Sequence, residues 1–187
     1  MHLAMRSLGA SLWRKQKFVA RDVLSIVWPS GFDPNARPFS TDESCGRAAA
    51  RGYNRMVMYV AVTHRVKVTV EPTFEAERSD PDERRYFWSY TIEIANLGQK
   101  AVTLLERHWR ITDADGRQQD VRGPGVIGEQ PTLRPGEAFR YTSGCPLTTP
   151  SGMMAGEYHM VSEDGQRFEV AIPAFSLDSP HGKRTLN

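Results

Sequence analysis

From Met58 onward, apolar and polar residues alternate along the chain. In RVKVTVEP, Val66, Val68 and Val70 fall on one side and Lys67 and Thr69 on the other, the two-residue period of a half-buried strand. In RRYFWSYTIEIANLG, Tyr86, Trp88, Tyr90, Ile92 and Ile94 alternate with Phe87, Ser89, Thr91, Glu93 and Ala95. That is a long strand with one strongly apolar face, ending at Asn96-Leu97-Gly98. AVTLLERHWRITDADG predicts a third strand, with Leu105, Trp109 and Ile111 sharing a face, Arg107 between them, and a tight turn at Asp115-Gly116. RQQDVRG returns as a short polar strand, and two shorter strands flank LRPGEAF, where Pro135-Gly136 marks a turn. The last hairpin runs from Tyr158 to Val161, turns near Asp164-Gly165 and returns through Phe168, Val170 and Ile172. About seven or eight short strands at turn spacings of roughly 8 to 15 residues, with no helical stretch between them, predict an all-β fold. The expected architecture is an antiparallel β-sandwich of the fibronectin type III or immunoglobulin-like kind. Trp88, Tyr90, Trp109 and Phe139 are the expected centre of its core, each costing on the order of 3–5 kcal/mol when cut to alanine.

Composition divides the 187 residues differently. Residues 1–57 have no strand pattern. One stretch, GASLWRKQKFVARDVLSIVW, has the spacing of a short amphipathic helix, and the Pro-, Gly-, Ser- and Asp-rich segment after it has little to bury. This extension reads either as a targeting segment or as residues ahead of a natural start near Met58. The expected domain spans 58–180, and 181–187 form a tail. Residues 1–55 hold nine basic and four acidic side chains, a net of +5, whereas the remainder holds fifteen and eighteen, a net of −3. The folded part is therefore mildly acidic, which argues against a nucleic-acid partner. No apolar run reaches the roughly 18 residues that span a bilayer, so no membrane role is expected. Two cysteines in unlike segments, Cys45 and Cys145, fit neither a disulfide framework nor a zinc site, and point to a cytoplasmic location.

The segment RGPGVIGEQP places Gly123, Gly125 and Gly128 in the spacing G-x-G-x-x-G. In a dinucleotide fold such glycines follow a parallel strand and open a helix whose amides hold the pyrophosphate. Here they follow a polar strand, and Pro131 and Pro135 break any helix that would follow. Two readings stand. In one, Arg122 with Gly123, Gly125 and Gly128 forms an anion-binding nest for a phosphate-containing ligand. In the other, the glycines supply positive φ to an inter-strand loop.

A second candidate is TSGCPLTTPSGMMAG, which reads as a long loop over residues 143–156. Leu147, Met153 and Met154 on it form either an apolar patch for a protein partner or a cap on the end of the sandwich. Cys145 reads as a small apolar loop residue, since no nucleophile elbow surrounds Ser143 or Cys145. His108 and His159 are expected on the solvated strand face. No metal-ligand cluster and no cofactor motif emerges.

VTVEPTF (68–74), FWSYTIEIANLG (87–98), VTLLERHWRITDADG (102–116), the run 121–158 and FEVAIPAFSL (168–177) together resemble the ApaG (CorD) domain family. The Y-T-S-G-C-P-L-x-T-P-x-G-x-M-x-G-x-Y pattern is its most distinctive part. The resemblance implies a fibronectin type III-like sandwich. Family members sit beside a diadenosine tetraphosphate hydrolase in bacterial operons, have been linked to cobalt and magnesium efflux, and are appended to F-box and polymerase-interacting proteins in eukaryotes. A non-catalytic protein-interaction module is the expected role. The alternatives are dinucleoside polyphosphate binding through the glycine loop and a part in divalent cation homeostasis.

Overall fold

The computed structural model describes residues 57–180. The expectations for the N-terminal extension, for Cys45 and for the C-terminal tail lie outside those residues. Nine strands and one 3-10 turn at Ala76–Arg78 make up the described chain: β1 (Tyr59–Thr63), β2 (Val66–Phe74), β3 (Tyr86–Asn96), β4 (Val102–Asp113), β5 (Gln118–Pro124), β6 (Thr132–Leu133), β7 (Ala138–Leu147), β8 (Ser151–Ser162) and β9 (Arg167–Asp178). All pairings are antiparallel. One sheet has the order β1-β2-β3-β7 and the other β5-β4-β8-β9, with β6 also on β4. The predicted β-sandwich is the observed architecture.

The alternation read from the sequence builds the core. Tyr86, Trp88, Tyr90, Ile92 and Ile94 of β3 are all buried, as are Val66, Val68 and Val70 of β2. Against them pack Leu104, Trp109, Tyr158, Met160, Val170 and Phe175 of the second sheet. Phe175 lies at the centre, with ring centroids 5.9 Å from Tyr90 and 6.0 Å from Trp109. Phe139 was expected there and is instead only partly buried, packed at the margin on Tyr141 at 6.2 Å. Strand β4 corrects a second expectation. A β-bulge between Leu104 and Glu106 inserts one residue, so Leu104, not Leu105, points into the core.

Two turns depart from glycine chemistry or need it. The β1–β2 hairpin turns through His64 and Arg65 at φ 48° and 62°, both left-handed and both carrying a Cβ. Replacing Arg65 with glycine relieves one of these, and the urea midpoint should rise by the equivalent of about 0.5–1 kcal/mol. At the β8–β9 turn, Gly165 has φ 82°, and Asp164 accepts from Lys100 Nζ at 2.6 Å and from the Ser162 hydroxyl. The Lys100 bond first and the Ser162 bond second hold the Asp164 carboxyl down at about 2, below its ordinary 3.8. The ionised form is favoured in the folded state, so this contribution is complete above pH 4 and disappears as the pH falls toward 2. Asp164→Asn should therefore flatten the acid limb of a stability-versus-pH curve between about pH 4 and 2 and leave its shape above that window unchanged.

Candidate functional site

The glycine loop is an excursion from an edge strand. β5 pairs with β4 from Thr112 to Glu106, and β6 resumes the same edge at Thr103 and Val102. Residues 125–131 leave that line opposite the Leu105 bulge. They are tied back to β4 by the Gly125 amide on the Leu105 carbonyl at 2.8 Å, the Gln130 side-chain amide on the same carbonyl at 2.7 Å, and the Leu104 amide on the Pro131 carbonyl at 3.0 Å. The tip is a two-residue turn. Val126 and Glu129 exchange both backbone hydrogen bonds, at 2.8 and 2.9 Å, around Ile127 and Gly128 at φ 45° and 76°.

Each glycine of the G-x-G-x-x-G pattern has a steric reason of its own. A Cβ on Gly123 would stand 3.2 Å from the Arg107 guanidinium. One on Gly125, at φ 57°, would stand 2.1 Å from the Glu129 carbonyl oxygen. Gly128 takes the second left-handed position of the turn. The amides of Gly125, Val126 and Glu129 are already donated within the protein, and a short strand rather than a helix follows the loop. Arg122 does not join the loop. It lies opposite His108 in the register, on the outer face of the sheet, and is exposed. The arginine that meets the glycines is Arg107, whose Nη1 donates to the Pro124 and Gly125 carbonyls at 3.1 and 2.8 Å. Strict alternation already puts Arg107 on the face of Trp109; the bulge at Leu105 adds Leu104 to that face in place of Leu105, and a two-residue count gives no signal for the loop carbonyls that Arg107 meets.

Folded this way, the loop closes the open side of the sandwich. Val126 is buried, Ile127 packs on the core, and between them and Ser143–Pro146 of β7 runs a cleft floored by Tyr90, Trp109 and Tyr141. Its free interior is about 30 Å³, room for roughly two waters. Tyr141 and Tyr158 share a hydroxyl–hydroxyl bond of 2.6 Å across the two sheets. Burial pushes the Tyr90 hydroxyl up to about 12 and the Tyr141 hydroxyl well above its usual range, so both remain protonated.

The segment 143–156 is not a long loop. It is the end of β7 and the start of β8, joined through Thr148–Pro150, where the chain crosses from one sheet to the other. Leu147 and Met154 face inward and are buried, so they do not contribute to an exposed patch, and Met153 alone of the three is exposed. Cys145 sits in β7 opposite Trp88, and burial pushes its thiol up to about 12, which leaves it protonated and unreactive. Gly144 accommodates the Phe87 ring, whose nearest atom would lie 2.3 Å from a Cβ there.

On the outer face of the second sheet, His108 corrects the solvated reading. It is buried, with Nε2 2.6 Å from Asp120 and Nδ1 2.6 Å from Glu157, and Glu157 also accepts from Arg110 at 3.1 Å. His159 is on the same face, 3.9 Å from Glu169. No group of three or more His, Cys, Asp or Glu side chains among the described residues has the arrangement of a metal site. No helix among them is long and apolar enough to cross a membrane.

Among the described residues, the most exposed apolar surface is at β1, an end strand of its sheet. Val60 and Val62 on its outer side are 52% and 60% exposed, and Met58 just before it is 55% exposed. Its inner side is fixed to β9 by the Tyr59 hydroxyl on Ser176 Oγ at 2.9 Å.

The ApaG domain family model matches residues 76–162. Protein ApaG of Bradyrhizobium diazoefficiens is 64% identical over 130 residues, covering 70% of this chain and 100% of that protein. Protein ApaG of Rhodospirillum centenum is 60% identical over 130 residues with the same coverage. Among solved structures, an ApaA protein from Bordetella pertussis superposes with a TM-score of 0.61 and 50% identity, over 63% of this chain and 95% of that one. These names specify no reaction. The sandwich, its glycine loop and the run through β7 and β8 lie in a chain that belongs to the ApaG family.

Proposed function

We propose that this chain is a non-catalytic protein-interaction module and that β1 is its docking edge. The occupant is an extended segment of another protein, added antiparallel or parallel to β1 as a further strand of the four-stranded sheet. One observation carries this reading: Val60 and Val62 stand more than half exposed on an end strand. Sheet edges are ordinarily guarded by lysine, proline, a bulge or a covering element. The strand sequence YVAVT has no charge and no proline, and its register with β2 is unbroken from Tyr59 to Thr63. Burying two valines and pairing their backbone offers apolar contact and main-chain hydrogen bonds together.

The test is paired capture with the folded chain and with Val60→Lys/Val62→Lys. Both side chains project into solvent, so the variant should keep its unfolding free energy within about 0.5 kcal/mol of the parent. Proteins that depend on β1 should be retained by the parent, lost by the variant and kept by Met153→Ser. Glycine-loop geometry also sets an expectation for nucleotides. With three loop amides committed internally and Arg122 turned away, calorimetry with ATP or diadenosine tetraphosphate at millimolar concentration should give no saturable heat.

A further inference from the structure

We infer that the cleft beside Arg107 is a binding site for a carboxylate group. Arg107 is the charged residue of that cleft, and it is partly buried. Its Nη1 is used by the two loop carbonyls, but no described residue accepts from Nη2 or Nε, and no described carboxylate pairs with it. Arg107 is partly exposed, and among the lining side chains of the cleft it is the cation with no described anion beside it, so Nε and Nη2 remain available to one. Around it stand neutral groups that donate. The Tyr90 hydroxyl lines the cleft, and the Tyr141 hydroxyl is shared with Tyr158. Arg107 carries the full charge among the lining side chains.

Shape narrows the ligand class. A planar fork of guanidinium donors matches a carboxylate. The free interior of about 30 Å³ takes two oxygen-sized atoms, the size of a carboxylate head. Val126, Ile127 and Trp109 beside it would take the first carbons of an aliphatic chain. The two sources of such a group are a free short-chain acid and the C-terminal carboxylate of a polypeptide. This site is on the opposite edge of the sandwich from β1 and stands independently of the docking edge proposed above.

The experiment is a nuclear magnetic resonance titration of the full chain with propionate, propionamide and inorganic phosphate at matched ionic strength. Propionate should shift the Trp109 indole N–H and the amides of residues 125–128 saturably, while propionamide should leave them unmoved. Arg107→Gln should weaken propionate at least about tenfold. Because that change also removes two bonds to the loop, Tyr90→Phe serves as the second variant. It leaves Arg107 in place and should weaken propionate severalfold. Short apolar peptides with free and amidated C-termini distinguish the sources: preference for the free terminus over propionate assigns a polypeptide end, and the reverse assigns a free acid. Val60→Lys/Val62→Lys should bind propionate as the parent does. Equal response to propionate and propionamide, stronger binding of phosphate, or no saturable shift with propionate would each overturn the assignment.

Discussion

Gly156→Ala should cost the domain at least about 3 kcal/mol, read as a fall in its urea midpoint. Gly156 lies on the inner side of β8 opposite Trp109, where β8 bends through a register shift against β9 between Met154 and Gly156. A Cβ there would sit 2.1 Å from the His108 carbonyl oxygen and 3.3 Å from the Trp109 Cα. Both obstacles are backbone, so no side-chain rotation relieves them. Strands β4 and β8 must separate, and their ladder is the longest in the sheet, running from Val102 to Asp113. A domain stable by the usual 5–15 kcal/mol then retains only a fraction of its margin. By contrast, alanine at Gly136, which has positive φ but open space around it, should cost less. A Gly156→Ala midpoint within error of the parent would show that the two strands do not approach as closely as described.

Trp109→Ala should cost on the order of 3–5 kcal/mol. The indole is buried between Tyr90, at 5.5 Å in an edge-to-face arrangement, and Phe175, at 6.0 Å. Its removal joins the void to the existing cleft beneath Val126 and Ile127, so the glycine loop loses its support as well as the core its ring. Hydrogen exchange at the 125–129 amides should accelerate more than exchange in β2, which does not touch the void. Uniform acceleration across both sheets would contradict the placement of Trp109 under the loop.

The sandwich was legible because one face of most strands is continuously buried, and a two-residue period then has only one register that hides the apolar set. It failed where the backbone breaks the period. The bulge in β4 exchanges Leu104 for Leu105, and bulges leave no local signature in residue type. β1 was also missed as a separate strand, because its turn uses His64 and Arg65 instead of the glycine or asparagine such turns favour. The segment 143–156 read as a loop because Gly144, Gly152, Gly156, Pro146 and Pro150 crowd it. Those glycines instead make room for Phe87, Leu147 and the β4 backbone within paired strands. The G-x-G-x-x-G spacing was visible at once, yet its meaning depended on where the amides point. Two exchange hydrogen bonds with each other across a turn and one is spent on β4, which no spacing encodes.

The most direct test of the interaction reading is quantitative comparison of the proteins co-purifying with the parent chain and with Val60→Lys/Val62→Lys, both verified as folded. The account predicts that specific partners of the parent disappear with the β1 variant and persist with Met153→Ser. An unchanged set of partners with the β1 variant would contradict it.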